Sequence, residues 1–188
     1  MQLEEAIKKR KSVKIYSSKK PDWRKIIKAL DATRYAPRAG NISRTKFILV
    51  QRVDTIKKIN SFCQQECVGQ AQTLVVVITE DSDYMKFYHD NGLKIARQQC
   101  GALIQNFLLE LTAQGLVTNW VSIFDEAQIK NLLKIPEKFT LEAIFPIGIE
   151  SKQKTAEKAK PELEGMVYFD EFDCHHMKPS PRVGLEGL

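Results

Sequence analysis

The segment Arg10–Ser17, RKSVKIYS, places three cationic side chains around a serine and then continues into apolar residues. Arg10, Ser12 and Lys14 occupy alternate positions in it. An arginine fork with a neighbouring cation and a hydroxyl group is a good ligand set for a phosphate. The same segment also fits a solvated helix end, because the helix macrodipole favours cations at its C-terminus.

The composition is that of an ordinary globular domain. The chain has 188 residues, 43% of them hydrophobic and 28% charged, which predicts one core and a single domain over residues 1–188. We expect a C-terminal arm at about residues 165–188, where the sequence becomes rich in Pro and Gly. The net charge of +6 favours anionic partners: a phosphate-bearing cofactor, a nucleic acid or a membrane surface.

Two features predict a cytoplasmic protein with no membrane partner. The N-terminal stretch MQLEEAIKKR has no apolar core of the kind found in a secretory signal. The longest apolar run, Leu74–Ile78, is far shorter than the ~20 residues that cross a bilayer. We therefore expect the four cysteines to be reduced.

Hydrophobic periodicity predicts an alternation of helices and strands. Helices are expected at Leu3–Arg10, after the N-cap residue Asp22, from Asp54, over Gly92–Gly115 and after the N-cap residue Asp125. Strands are expected at Lys46–Gln51, at Thr73–Thr79, up to about Phe124, at Leu141–Glu150 and after Gly165.

Three of these elements carry a more specific prediction. The β-branched run Thr73–Thr79 is typical of a central strand covered on both faces. Pro146 indicates a bulge or an edge position for its strand. The helix over Gly92–Gly115 is apolar around most of its circumference in its second half, so it must be buried. In a chain of this size we expect a partner subunit to cover it.

Three motifs occur in a fixed order along the chain: RKSVKIY after the first helix, APRAGN after the second, and QNFLLELTAQGLVTNWVSIFD in the second half. This combination resembles the FMN-dependent nitroreductase family over about the whole chain to Glu150. The resemblance implies an α+β fold with a mainly antiparallel central sheet flanked by helices. It also implies a homodimer in which the long helices form much of the interface.

The resemblance gives the basic segment a role at an FMN molecule. It places Arg10 on the phosphate, and Lys11 and Ser12 beside the ribityl chain and the pyrimidine end of the ring. Lys14 corresponds to a basic residue near flavin N1 and O2. A cation there stabilises the negative charge that the ring gains with a hydride.

The resemblance also implies that a loop of each subunit reaches the flavin of the other. That loop contains Pro37, Arg38, Ala39 and Asn41. The sequence departs from the family here, because Arg38 replaces a small serine. Arg38 can therefore meet an anionic substrate or an extra phosphate, and the loop also fits a plain Pro/Gly/Asn turn.

Two further positions complete the implied site. Backbone N–H groups of Ser122 and Ile123 approach flavin N5 and O4, although the same stretch also fits a buried strand end with Trp120 in the core. A basic residue near the C-terminus, Lys158 or Lys160, reaches the phosphate in the family pattern. The alternative is that Lys158 and Lys160 are both simply solvated surface lysines.

The function that follows is hydride transfer from NADH or NADPH to FMN, and electron transfer from FMN to a nitroaromatic, a quinone or a similar acceptor. We expect no catalytic side-chain acid or base, because the flavin performs the chemistry.

We also expect no metal site, since CHHM at residues 174–177 lacks the ligand spacing of a zinc site. The alternatives are a flavin-binding protein without turnover and a basic nucleic-acid-binding module. Nucleic-acid binding uses aromatic side chains that stack on bases, whereas the aromatic residues here fall mostly at core positions, so we expect no nucleic-acid partner.

Overall fold

The computed structural model of the chain describes residues 1–151 and 160–177. The chain divides into two compact units, Met1–Thr155 and Ala156–Leu188. Among the residues described, no helix has the length and apolar character needed to cross a membrane.

The first unit contains seven α-helices and four strands within its described residues. The helices are α1 (Leu3–Lys9), α2 (Trp23–Ala32), α3 (Val53–Ser61), α4 (Cys67–Gln70), α5 (Ser82–Tyr88), α6 (Gly92–Ala113) and α7 (Glu126–Leu133). The strands are β1 (Thr45–Val50), β2 (Thr73–Glu80), β3 (Val117–Thr118) and β4 (Phe139–Gly148). Asp22 and Asp125 cap α2 and α7 as predicted, since their carboxylates accept hydrogen bonds from backbone N–H groups in the first turn.

The four strands form one antiparallel sheet in the order β1-β2-β4-β3. Strand β2 lies in the interior, and the side chains of Thr73–Thr79 are buried as predicted. Leu74 and Val76 pack into a core with α3 and α7, whereas Val75 and Val77 pack into a second core with α2 and α6. The sheet therefore has helices on both faces, which confirms the predicted α+β fold.

Helix α6 confirms the prediction of a long helix ending near Gly115, which has a φ of 73°. It packs against α1, α2 and α5 of its own chain. Leu103, Phe107 and Leu111 are nearly or fully buried, so the chain alone already covers much of this helix. Its burial does not by itself require a partner subunit, and the predicted homodimer remains a prediction.

Several local predictions were wrong. In the helix after Asp22, the spacing of Trp23, Ile26, Ile27 and Leu30 predicts one apolar face. Only Ile26 of these four is fully buried, together with Ala29, whereas Trp23 and Ile27 are 48% and 45% exposed. The strand expected to run to Phe124 stops at Thr118. In the second unit, the described residues 160–177 contain turns and one short 3-10 helix but no strand.

Strand β4 contains a bulge at Glu142, and Pro146 lies within the regular part of the same strand. Beside Pro146, β3 pairs only with Ile147 and Gly148, and Val121 pairs with Ile144. Pro146 lies between these two pairings, at a position where no backbone carbonyl in the described residues pairs with β4 from that side. The N–H that proline lacks is therefore not required there. Its carbonyl accepts a hydrogen bond from the Thr118 hydroxyl at 2.8 Å.

Candidate functional site

The basic segment leaves α1 in an extended conformation at Arg10. Ser12 then forms a parallel bridge with Thr118, and the Val13 N–H donates to the Thr118 carbonyl at 2.9 Å. Val13 is only 1% exposed, while Ser12 and Lys14 are exposed. Because side chains alternate along an extended chain, Arg10, Ser12 and Lys14 lie on the face opposite to Val13.

Tyr16 anchors the other end of this segment. It bridges Glu150, and its hydroxyl donates a hydrogen bond to the Val13 carbonyl at 2.7 Å. Burial raises the pKa of the Tyr16 phenol far above its usual range, so the hydroxyl remains a donor at any physiological pH. The ring lies directly against Gly148, where an added Cβ would come within 2.6 Å of it.

We expect Gly148→Ala to displace the basic segment. The new methyl group would meet the stem of the Tyr16 side chain, which cannot move away without shifting its backbone. Overpacking of this kind destabilises a fold by about 1–3 kcal/mol, which urea unfolding would measure. Gly101→Ala is the matched control, because nothing lies within 4 Å of a Cβ at that helix position. Equal stability of Gly148→Ala and the wild type would contradict this contact.

The cations of the segment differ in their partners. The Lys11 ammonium lies 2.6 Å from the Glu150 carboxylate, so it is already engaged within the chain. Within residues 1–151 and 160–177, neither Arg10 nor Lys14 forms an ion pair. The exposed face of the segment therefore presents two unpaired cations on either side of the Ser12 hydroxyl, as an anionic group requires.

Ser122 and Ile123 are two exposed residues held between two fixed points. On one side, Val121 is fully buried and exchanges two backbone hydrogen bonds with Ile144. On the other side, the Asp125 N–H donates to the Phe62 carbonyl at 2.8 Å. In the described part of the chain the N–H groups of Ser122 and Ile123 donate to no protein acceptor. They are therefore available to a ligand.

Asn119, Gln65 and Cys67 form a polar cluster that the sequence did not reveal, and Cys67 of this cluster lies near Lys14 of the basic segment. The Asn119 amide, 6% exposed, donates to Gln65 Oε1 at 2.8 Å and to the Cys67 sulfur at 3.6 Å. Burial raises the pKa of the Cys67 thiol, and the Asn119 hydrogen bond and the charge of Lys14 offset this in part. Cys67 is therefore a neutral thiol beside Lys14. No local pattern links these positions, because Asn119 and Gln65 are 54 residues apart in the chain.

An open cleft of about 460 Å³ adjoins Ile123. Its lining consists of Ser61, Phe62, Cys63, Gln64, Ile123, Phe124 and Asp125. Burial raises the pKa of the Cys63 thiol to about 11, so this side chain is also neutral at physiological pH. The cleft thus combines apolar and neutral polar side chains with the acidic Asp125, next to the Ser122 and Ile123 N–H groups.

The predicted loop residues Pro37, Arg38 and Asn41 are exposed, and Ala39 is half-buried. The loop lies near the Glu80 end of β2, because the Glu80 N–H donates to the Arg44 carbonyl and the Tyr84 hydroxyl donates to the Ile42 carbonyl. The basic segment lies near the opposite end, since Thr118 and Thr73 both pair with Ile147.

At 3.3 Å per residue, the two ends of β2 are roughly 23 Å apart. One chain therefore does not bring the loop and the basic segment together.

The remaining predicted residue, Lys160, is exposed and belongs to the second unit. The structure does not place it relative to Arg10, and Lys158 lies outside the described residues. In the second unit His175 pairs with Asp173 at 3.4 Å, and the Cys174 thiol contacts the His176 carbonyl. The described residues contain no group of three or more potential metal ligands.

Comparison with known proteins gives consistent results. The model described as the Nitroreductase family matches residues 7–67 and 60–149, which include both the basic segment and the Ser122–Ile123 pair but not Lys160. A protein of Archaeoglobus fulgidus named "Putative NADH dehydrogenase/NAD(P)H nitroreductase" is 27% identical over 150 residues, which cover 77% of this chain and 83% of that protein.

Solved structures share the fold. A nitroreductase family protein from Clostridium novyi superposes with a TM-score of 0.74 and 25% identity, covering 93% of this chain and 96% of that chain. An FMN-dependent nitroreductase from Clostridium difficile gives a TM-score of 0.75 at 21% identity, covering 89% of this chain and 98% of that chain. The sheet order and the flanking helices described above are thus those of a known architecture.

Proposed function

Because the chain belongs to the nitroreductase family, we propose that it is an FMN-dependent oxidoreductase. It takes hydride from NADH or NADPH and passes electrons to a nitroaromatic, a quinone or a similar acceptor. FMN, when bound, supplies this redox chemistry. The chain supplies the binding, the orientation and the electrostatic environment, and no side chain serves as an acid or base.

The observation that carries this proposal is a pair of cations on one extended face that have no ion-pair partner among the residues that the structure describes. Arg10 and Lys14 flank the exposed Ser12 hydroxyl. The backbone between them is held by the bridge from Ser12 to Thr118 and by the buried side chain of Val13. This donor set suits the FMN phosphate and the polar edge of its ring system. The residues present therefore fit the cofactor that the family uses, with Arg10 on the phosphate and Lys14 near the pyrimidine end.

The free N–H groups of Ser122 and Ile123 have a second role in this site. Both are exposed, and the fixed positions of Val121 and Asp125 restrict their movement. Backbone donors held in place in this way orient a ring carbonyl and a ring nitrogen without any requirement on side-chain identity. With FMN bound, these two donors would hold the edge of the ring at which hydride is accepted.

We infer that each site is shared between two chains. The roughly 23 Å between the ends of β2 separates the basic segment from the Pro37–Asn41 loop within one chain. In a homodimer, the loop of the second chain completes the site built on Arg10–Lys14 of the first. We place this homodimer in the cytoplasm, where its four free cysteines stay reduced.

Anaerobic addition of NADH or NADPH to the purified, FMN-loaded chain tests the proposal. We expect the visible flavin absorbance to bleach and to return when a nitroaromatic compound or a quinone is added. A flavin that stays oxidised would instead indicate a flavin-binding protein without turnover. A protein that stays colourless after incubation with FMN, and that binds DNA or RNA with salt-dependent affinity, would indicate the nucleic-acid-binding module.

A further inference from the structure

The turn between Arg38 and Ile42 is held by one side chain of helix α6. The Ala39 N–H donates to Gln99 Oε1 at 3.0 Å, and Gln99 Nε2 donates to the Ile42 carbonyl at 2.9 Å. A single amide therefore bridges the two ends of the turn. Gly40 and Asn41, which lie between these ends, have φ values of 55° and 56°. This left-handed backbone is unfavourable for most residues, so the turn needs external support.

Tyr84 of helix α5 completes the arrangement. Its hydroxyl accepts the second hydrogen of Gln99 Nε2 at 2.6 Å and donates to the Ile42 carbonyl at 3.4 Å. Burial raises the pKa of the Tyr84 phenol, so the donor proton is retained. Tyr84 is fully buried and Gln99 is 5% exposed. Water therefore cannot easily replace these hydrogen bonds, and their loss is correspondingly costly.

The position of Gln99 on α6 connects the turn to the core. Its neighbours Cys100 and Leu103 are 2% and 4% exposed. Gln99 thus projects from a rigid element, and the amide is matched to the turn. It accepts a hydrogen bond from an N–H and donates one to a carbonyl at the same time, which requires a side chain with both a donor and an acceptor, such as an amide.

We propose that Gln99 is a positioning residue for the FMN site. It holds the Arg38–Asn41 turn in the shape in which this turn meets the flavin bound to Arg10 and Lys14 of a second chain. This inference rests on the proposed function. It goes beyond it by assigning a role to a buried residue that contacts neither the flavin nor the substrate.

Gln99→Glu gives a test with a distinctive pH signature. A protonated carboxyl group has one donor and one acceptor, so it can bridge Ala39 and Ile42 as the amide does. The ionised form has no donor and places negative charge against the Ile42 carbonyl. Burial raises the pKa of such a carboxyl group. We therefore expect FMN affinity to be about tenfold below wild type at about pH 8.5, and to recover to within about threefold at about pH 5.5.

Two other variants and one control are compared with Gln99→Glu. Gln99→Leu removes the amide, so we expect affinity about tenfold below wild type at both pH values. Tyr84→Phe keeps the buried ring and removes one hydroxyl, so a loss of about threefold is expected. Gln98→Glu adds the same charge at the exposed neighbouring position and should match wild type. Each affinity is compared with wild type at the same pH, which cancels ionisation of the FMN phosphate itself.

Hydrogen exchange of the flavin-free chain provides a readout that is independent of FMN. Exchange of the Ala39 amide should be faster in Gln99→Leu and Tyr84→Phe than in wild type, with unchanged exchange in β2. Wild-type FMN affinity in both Gln99 variants, or identical pH profiles for Gln99→Glu and Gln98→Glu, would overturn the inference and leave the proposed function intact. Failure of the wild-type chain to bind FMN would refute the proposed function, and the positioning role at the flavin with it.

Discussion

Arg10→Ala is expected to weaken FMN binding by about 10- to 150-fold. Arg10 follows α1, and its guanidinium group is unpaired within residues 1–151 and 160–177. A charge-assisted hydrogen bond to phosphate contributes about 1.5–3 kcal/mol, and each 1.4 kcal/mol is a tenfold change in affinity. Titration of flavin-free protein with FMN, followed by the quenching of flavin fluorescence, measures the change directly.

Lys9→Ala is the matched control for this variant. It removes the same charge at the preceding position, where the ammonium group pairs with Glu5 at 2.6 Å on the exposed side of α1. Its FMN affinity should be within about twofold of wild type, because exposed ion pairs contribute little. Equal affinities in Arg10→Ala and Lys9→Ala would remove Arg10 from the phosphate site.

Lys14→Ala is expected to retain FMN but to lower its reduction potential by about 20–60 mV. Lys14 lies on the same face as Arg10 and has no acidic partner in the described residues. A cation near the ring favours the reduced, more negative form by about 1–3 kcal/mol, and 30 mV corresponds to about 1.4 kcal/mol for two electrons. Anaerobic titration against a reference dye measures the potential.

Lys19→Ala controls for the general loss of a positive charge. Lys19 is exposed and lies five positions after Lys14, outside the Arg10–Ser17 segment and beyond the anchor formed by Tyr16. Its potential should match wild type within a few millivolts, because solvent screens a distant surface charge. A potential in Lys14→Ala equal to that of Lys19→Ala would exclude a tuning role for Lys14.

The elements that sequence alone predicted correctly are those with strong local patterns. Strand β2 is a run of β-branched residues, and α6 is a long apolar helix followed by Gly115. The caps Asp22 and Asp125 were also predicted, because a capping side chain acts on its own helix within a few residues.

The incorrect or missing predictions depend on contacts between distant residues. The short helices Cys67–Gln70 and Ser82–Tyr88 were not predicted, since neither is long enough to show a clear period. Trp23 and Ile27 follow the same helical period as Ile26 but lie outside the covered face of α2. Periodicity shows that a face is apolar; it does not show what covers it.

The candidate site divides in the same way. The basic segment, the 37–41 loop and the Ser122–Ile123 pair were identified from a family resemblance and not from physical pattern alone. Gln99 and Asn119 were missed, because their partners Ala39 and Gln65 are 60 and 54 residues away in the chain. The pairing of Lys11 with Glu150 was missed for the same reason.

Sedimentation equilibrium of the purified chain with excess FMN, recorded both at 280 nm and at the visible absorption band of the flavin, tests the central claim most directly. We predict that the flavin sediments with a species of twice the 21.5 kDa chain mass, at one FMN per chain. A colourless species of single-chain mass in the presence of excess FMN would contradict a flavin site built from two copies of this protein.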